Sequence, residues 1–222
     1  MAALLNFFHA FGQYTFLQNA LLAGVIIGLV SGVIGAFSIL QGTALIGDAM
    51  SHAVLPGIAI AALLGIPYYW GAGVFGLLAA LIINFIAEHT PLKTDAAIGL
   101  TFSSFFALGT IIMTAGHSTT KLTDILFGNI LAVSGGDLIS SLVIGLIVIL
   151  VVAIFYRELY LTTFDRSYAQ AQGIRANLFR NLLVVMITLV IIVALRAVGV
   201  ILVTALLITP AASARLLVKR FQ

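Results

Sequence analysis

Long apolar runs follow one another along the chain, divided by short polar clusters and by glycine and proline. Cut at that punctuation, they predict membrane-crossing helices over about 16–40, 43–64, 67–87, 97–116, 137–156, 179–196 and 198–215. Each has the length, about 17–25 residues, at which an α-helix spans a bilayer. A further apolar piece, 125–133, is too short to cross and is expected to form a re-entrant or half-membrane segment. The runs are continuous, whereas the strands of a membrane β-barrel alternate in polarity over about ten residues. The pattern therefore predicts an all-α, polytopic transmembrane bundle, one membrane domain over 1–222.

Composition sharpens this. Of 222 residues, 62% are hydrophobic and 8% charged, against roughly 25% charged in soluble domains. So little charge cannot cover a wetted surface, and lipid must form part of the solvent. No basic segment precedes the first apolar run, so a cleaved signal peptide is not expected. Cysteine is absent, which leaves imidazole, carboxylate and carbonyl groups as metal ligands.

The basic residues set an orientation. Arg157, Arg166, Arg175 and Arg180 fall in one connection, and Arg215, Lys219 and Arg220 at the C-terminal end. The positive-inside rule makes both cytoplasmic. Counting spans back then puts the loop 88–96 on the cytoplasmic side and the N-terminus outside. In the first span Ala20, Gly24, Gly28, Gly32 and Ala36 recur every four residues, a spacing that predicts a smooth face for close helix packing or a subunit interface.

The second span carries the chemistry. Asp48 and His52 stand four residues apart and share one helix face. Ionised Asp at the centre of a span costs about 2.5–3.5 kcal/mol on insertion scales, so the pair needs a partner or a water-filled cavity. Pro56 has no N–H, which deprives the His52 carbonyl of its helical donor. Gly47 and Gly57 flank the pair and are expected to permit local unwinding. Broken helices at membrane depth line cavities or are buried in protein. Three roles fit: a structural contact, a proton relay, or a path for a divalent cation such as Mn²⁺, Zn²⁺ or Fe²⁺. Two ligands are too few for a closed site, so a symmetric dimer supplying two pairs is attractive for the third role. His9, His89 and His117 fall at span ends or in loops and read as solvated. Pro210 is expected to kink the last span, with Thr209 bonding the freed backbone.

Between spans, 157–180 is the longest polar stretch. Asp165 is a good N-cap and Gly173 a good C′ residue, which predicts a short exposed helix over 166–172 and a docking element. No G-x-x-x-x-G-K-[ST] motif occurs, so any ATP would be bound by another subunit. Intramembrane proteolysis fits poorly. H-E-x-x-H is absent, a G-x-G-D motif would need glycine at Leu45, and Asp124 and Asp137 fall near the predicted rim.

Four blocks in order, GDAMSHAVLPG at 47–57, LFGNILAV at 126–133, TTFDRSYAQAQGI at 162–174 and LLITPAASARLL at 206–217, resemble the landmarks of one family. It is the metal-type (ABC-3) membrane permease of ATP-binding-cassette importers for manganese, zinc and iron. The resemblance implies a homodimer in the bacterial cell membrane, with cytoplasmic ATPase subunits and an extracytoplasmic metal-binding protein. The permease itself would be no enzyme and would hold no permanent cofactor, its divalent metal being cargo. Asp48 and His52 would line the metal path, beside the helix break at Gly47, Pro56 and Gly57. The segment 157–178 would couple to the ATPase through Asp165, Ala169 and Gly173. It also implies two further spans beyond those read here. An ion- or proton-coupled secondary transporter using Asp48 and His52 as a relay is the alternative.

Overall fold

The structure, a computed structural model, describes residues 14–43, 45–116 and 127–217. Its membrane-length helices are α1 (Thr15–Leu40), α2 (Leu45–Ala53) continued by α3 (Leu55–Leu64), α4 (Tyr68–His89), α5 (Thr94–Ala115), α6 (Gly135–Ile154) and α9 (Ala176–Leu217). Two short helices, α7 (Tyr156–Phe164) and α8 (Arg166–Ala171), lie between α6 and α9. Among the described residues seven stretches are long and apolar enough to cross a membrane, because α9 supplies two of them.

Burial ranks the helices. The spans Leu45–Leu64 and Ala176–Leu195 are 72% and 67% buried, against 28% for Tyr68–His89, Thr94–Ala115 and Gly135–Ile154. The second span and the first half of α9 therefore form the centre of the bundle, and the others turn an apolar face outward as a lipid solvent requires. The polar pair thus sits on the most enclosed span.

Side-chain links identify the two ends. Gln41, just after α1, donates to Thr163 of α7, and Arg180 of α9 meets both Asn84 and Glu88 of α4. The α1–α2 turn, the α4–α5 loop and the 157–178 connection thus share one end of the bundle, as the charge pattern required. At the other end the Tyr69 hydroxyl donates to Asp137 Oδ1 at 2.7 Å. Asp137 also forms a reciprocal capping box with Ser134 at the start of α6. It is buried rather than solvated at the rim, because these donors satisfy it.

Three expectations need correction in detail. The break between the spans expected over 179–196 and 198–215 falls at Gly199 (φ 75°, ψ 168°), and Pro210 keeps helical dihedrals. Ile187 and Leu207 line one small cavity, although on an unbroken helix they would stand about 30 Å apart. The helix therefore doubles back at Gly199. Glycine is required there because φ is positive.

The second correction concerns α1. Its closest approach is not on the four-residue stripe but at Gly35, where a Cβ would lie 1.9 Å from the Leu207 carbonyl oxygen. Gly28, on the stripe, has nothing within 4 Å.

The third concerns the helix break in the second span. It falls at Val54, between α2 and α3, and Pro56 occupies the first turn of α3, where its missing N–H is least costly. Gly47 and Gly57 are both helical, not unwound. They serve packing: a Cβ on Gly57 would lie 2.0 Å from the Gly71 carbonyl oxygen of α4, and one on Gly47 would lie 3.1 Å from Leu207 Cδ1.

The piece 125–133 does not cross as a helix in its described part. From 127 it forms a short 3₁₀ turn, Ile130–Ala132. Ile130 reaches Gly24 of α1, and Gly128 (φ 62°) abuts the Val198–Gly199 reversal. Residues 125 and 126 lie outside the described residues, as do His9, His117, Asp124, Lys219 and Arg220.

Candidate functional site at Asp48 and His52

A tightly bonded turn launches α2. The Thr43 amide and hydroxyl both donate to the Ser38 carbonyl, at 3.0 and 3.2 Å, and the Ser38 hydroxyl donates back to the Thr43 carbonyl at 3.0 Å. Asp48 follows in the first turn of α2, where the positive end of the helix dipole favours a carboxylate. His52 lies one turn further, just ahead of the break.

The pair is close but not locked. His52 Nε2 stands 3.7 Å from Asp48 Oδ1, beyond ordinary hydrogen-bond reach. His52 Nδ1 is buried with no hydrogen-bond partner. The imidazole is held instead by edge contacts with Phe102 and Phe106 of α5, centroids at 5.1 and 5.3 Å. The His52 side chain is 17% exposed and that of Asp48 47%. A ring fixed by aromatic walls thus turns one nitrogen toward a half-exposed carboxylate. A cation bound at about 2.0–2.2 Å to each atom fits within a 3.7 Å span.

Among the described residues no group of three or more His, Asp or Glu converges. The chain therefore presents an open half-site, and water or a second molecule must complete the coordination shell of any ion. His89 does not contribute. It is exposed, lies 3.1 Å from the Phe85 carbonyl and stacks on the Phe85 ring. A largely apolar cavity, with Gln41, Thr43, Asn84, Arg180 and Asn181 among its lining, reaches Ile46, but neither Asp48 nor His52 lines it.

Phe102 and Phe106 were not singled out from the sequence. Their four-residue spacing marks one helix face, but nothing local says which residue that face meets.

The connection beyond α6 forms as its caps predict. The Asp165 side chain accepts from the Tyr168 amide at 2.9 Å, and α8 runs Arg166–Ala171. Gly173 adopts φ 80°, its amide donates to Gln170, and the Ile174 amide donates to Ala169, the pattern of a left-handed helix cap. Asp165, Arg166, Tyr168, Gln170 and Gly173 are exposed, whereas Ala169 is fully buried. Ala169 therefore seats α8 on its own chain and offers no surface to a partner. Asp165→Ala is expected to destabilise this helix by about 0.5–2 kcal/mol, the usual worth of an N-cap. Hydrogen exchange of the Tyr168 amide measures it, and unchanged protection would contradict the cap.

Residues 13–222 match the profile described as the ABC 3 transport family. The chain belongs to that family. The permease is 49% identical over 214 residues to the manganese import system permease protein ScaB of Streptococcus gordonii, covering 96% of this chain and 77% of that one. It is 49% identical over 208 residues to the manganese transport system membrane protein MntC of Listeria monocytogenes, covering 94% and 74%. Among solved structures, PsaBC from Streptococcus pneumoniae in complex with Fab superposes with a TM-score of 0.86 at 46% identity, covering 98% of the permease and 78% of that chain. With seven membrane-length helical stretches among its described residues, the permease is a multi-pass protein of the bacterial cell membrane and a transport subunit.

Proposed function

We propose that the permease forms the membrane path of an ATP-driven importer of a divalent metal ion, manganese foremost, and that Asp48 and His52 are its transient ligands. One observation carries the reading: a carboxylate and an imidazole nitrogen stand 3.7 Å apart on the most enclosed span, with no hydrogen bond between them. An uncompensated carboxylate costs about 2.5–3.5 kcal/mol at the centre of a span and less in the first turn, where Asp48 stands half-exposed. A passing cation offsets that penalty. Nitrogen with oxygen suits Mn²⁺, Fe²⁺ and Zn²⁺, whereas Mg²⁺ and Ca²⁺ prefer all-oxygen shells. The curated relatives named above are manganese permeases, which favours Mn²⁺ among the three.

Because Asp48 is half-exposed and the half-site open, a second copy facing it across a twofold axis is the natural completion. Cytoplasmic ATPase subunits dock on the exposed face of α8, and an extracytoplasmic metal-binding protein delivers the ion at the opposite end. Binding and hydrolysis of ATP shift the permease between outward- and inward-open states. A proton relay is disfavoured because Asp48 lacks a hydrogen-bonded chain among the described residues.

Vesicles containing the permease, its ATPase and its binding protein are expected to accumulate ⁵⁴Mn²⁺ only with hydrolysable ATP. Accumulation driven by a proton gradient without ATP would establish the secondary-transport alternative instead.

A further inference from the structure

Between α8 and the metal pair lies a short mechanical route. Thr163 stands in the last turn of α7, immediately before Phe164 and the Asp165 cap of α8. Its hydroxyl donates to the Leu159 carbonyl at 2.6 Å. The oxygen is thereby free to accept from Gln41 Nε2 at 3.2 Å, across 122 residues of sequence. Gln41 ends α1 and opens the Ser38–Thr43 turn, and the Thr43 carbonyl accepts from the Ile46 amide at 2.9 Å at the start of α2. Asp48 is two residues further on. Hydrogen bonds thus run from Thr163 through the α1–α2 turn to the start of α2, so displacement at Thr163 can be passed toward Asp48.

Two other contacts brace the same region. Arg166 of α8 donates to Asn177 in the first turn of α9. Arg180, one turn along, donates to Asn84 and pairs with Glu88 of α4 at 3.5 Å. Movement of α8 is therefore shared with α9 and α4. Gln41–Thr163 is the side-chain hydrogen bond that ties the end of α7 to the α1–α2 turn, from which the second span starts.

We infer that Gln41 and Thr163 are positioning residues that transmit movement of α8 to the Asp48–His52 pair. The inference rests on α8 being the seat of the ATPase. Neither residue touches the cargo, so their loss should uncouple ATP hydrolysis from movement of the site rather than abolish metal binding.

The chain has no cysteine, so the Asp48→Cys variant carries a unique thiol in the permease. In the complete complex its rate of maleimide labelling is expected to differ between ATP-trapped and nucleotide-free states. Adding Gln41→Leu or Thr163→Val should shrink that difference roughly tenfold, an upper figure for one hydrogen bond. The double variant should be no worse than either single one, since both remove the same bond. Thr163→Ser keeps the hydroxyl and should restore the response, while adding the Gln41 or Thr163 variants should leave the ATPase rate within about twofold of the Asp48→Cys complex itself.

A response persisting in both single variants would overturn the inference. So would no response with Gln41 and Thr163 in place, failure of both variants to assemble with the ATPase, or parallel loss of hydrolysis and labelling. ⁵⁴Mn²⁺ uptake by the cysteine-free permease is read separately. Failure there counts against the metal assignment and leaves the thiol response to judge the coupling.

Discussion

Asparagine at Asp48, or glutamine at His52, is expected to abolish metal uptake while leaving the permease folded and bound to its ATPase. Both replacements preserve size, so the aromatic contacts of Phe102 and Phe106 with position 52 are perturbed little. What they remove is ligand character. Even losing an outer-shell partner of a metal ligand costs about 10–100-fold in affinity or activity, and loss of the ligand itself should cost at least that. Stability should change little for Asp48→Asn. The carboxylate is half-exposed, stands in the first turn of its span and makes no hydrogen bond among the described residues, so neutralising it breaks no contact. Thermal unfolding in detergent should therefore show a nearly unchanged midpoint alongside lost uptake. A lower midpoint with normal uptake in both variants would identify the pair as structural glue.

The second large effect is on assembly. Gly57→Val is expected to prevent formation of the packed bundle, and Gly57→Ala to cost about 3 kcal/mol or more, the top of the usual overpacking range. A Cβ at Gly57 would lie 2.0 Å from the Gly71 oxygen and 2.5 Å from its carbonyl carbon, and one at Gly71 would meet the Gly57 oxygen at 2.0 Å. These are backbone atoms, so no rotamer change relieves the clash. The helices must separate, and the separation loosens α3, which continues directly from His52. Gly73, on the same helix as Gly71, has nothing within 4 Å, so Gly73→Ala should be neutral or slightly stabilising. Monodispersity and thermal unfolding of the three variants measure the contrast. If Gly57→Ala behaves like Gly73→Ala, the close approach of α3 and α4 is wrong.

Features that depend on nearby residues were legible in the sequence. The spans follow from apolar length, the Asp48–His52 face from a four-residue spacing, and the α8 caps from Asp165 and Gly173, whose partners lie within four residues. Features that depend on distant partners were not. The closest approach of α1 within the chain, at Gly35, was not legible, because what selects it is the Leu207 carbonyl, far along the chain. Gly57 looked like a point of weakness beside Pro56, yet it is a point of contact, since only the fold reveals Gly71 opposite. The boundary between the last two spans was legible to within a few residues, but not the positive φ that makes Gly199 the turning point. The burial of Asp137 at the end of its span was not legible because its hydroxyl partner Tyr69 belongs to another helix. At the candidate site the Asp48–His52 pair was visible, but the Phe102 and Phe106 walls that orient the imidazole were not.

The central claim is that a divalent ion rests briefly between Asp48 and His52. Anomalous diffraction at the manganese edge, from crystals of the permease grown with Mn²⁺, tests it most directly. The account predicts a peak within bonding distance of an Asp48 carboxylate oxygen and His52 Nε2, shared with the same two residues of a second copy. A peak elsewhere in the membrane region, with the 3.7 Å gap between these two atoms left empty, would contradict it.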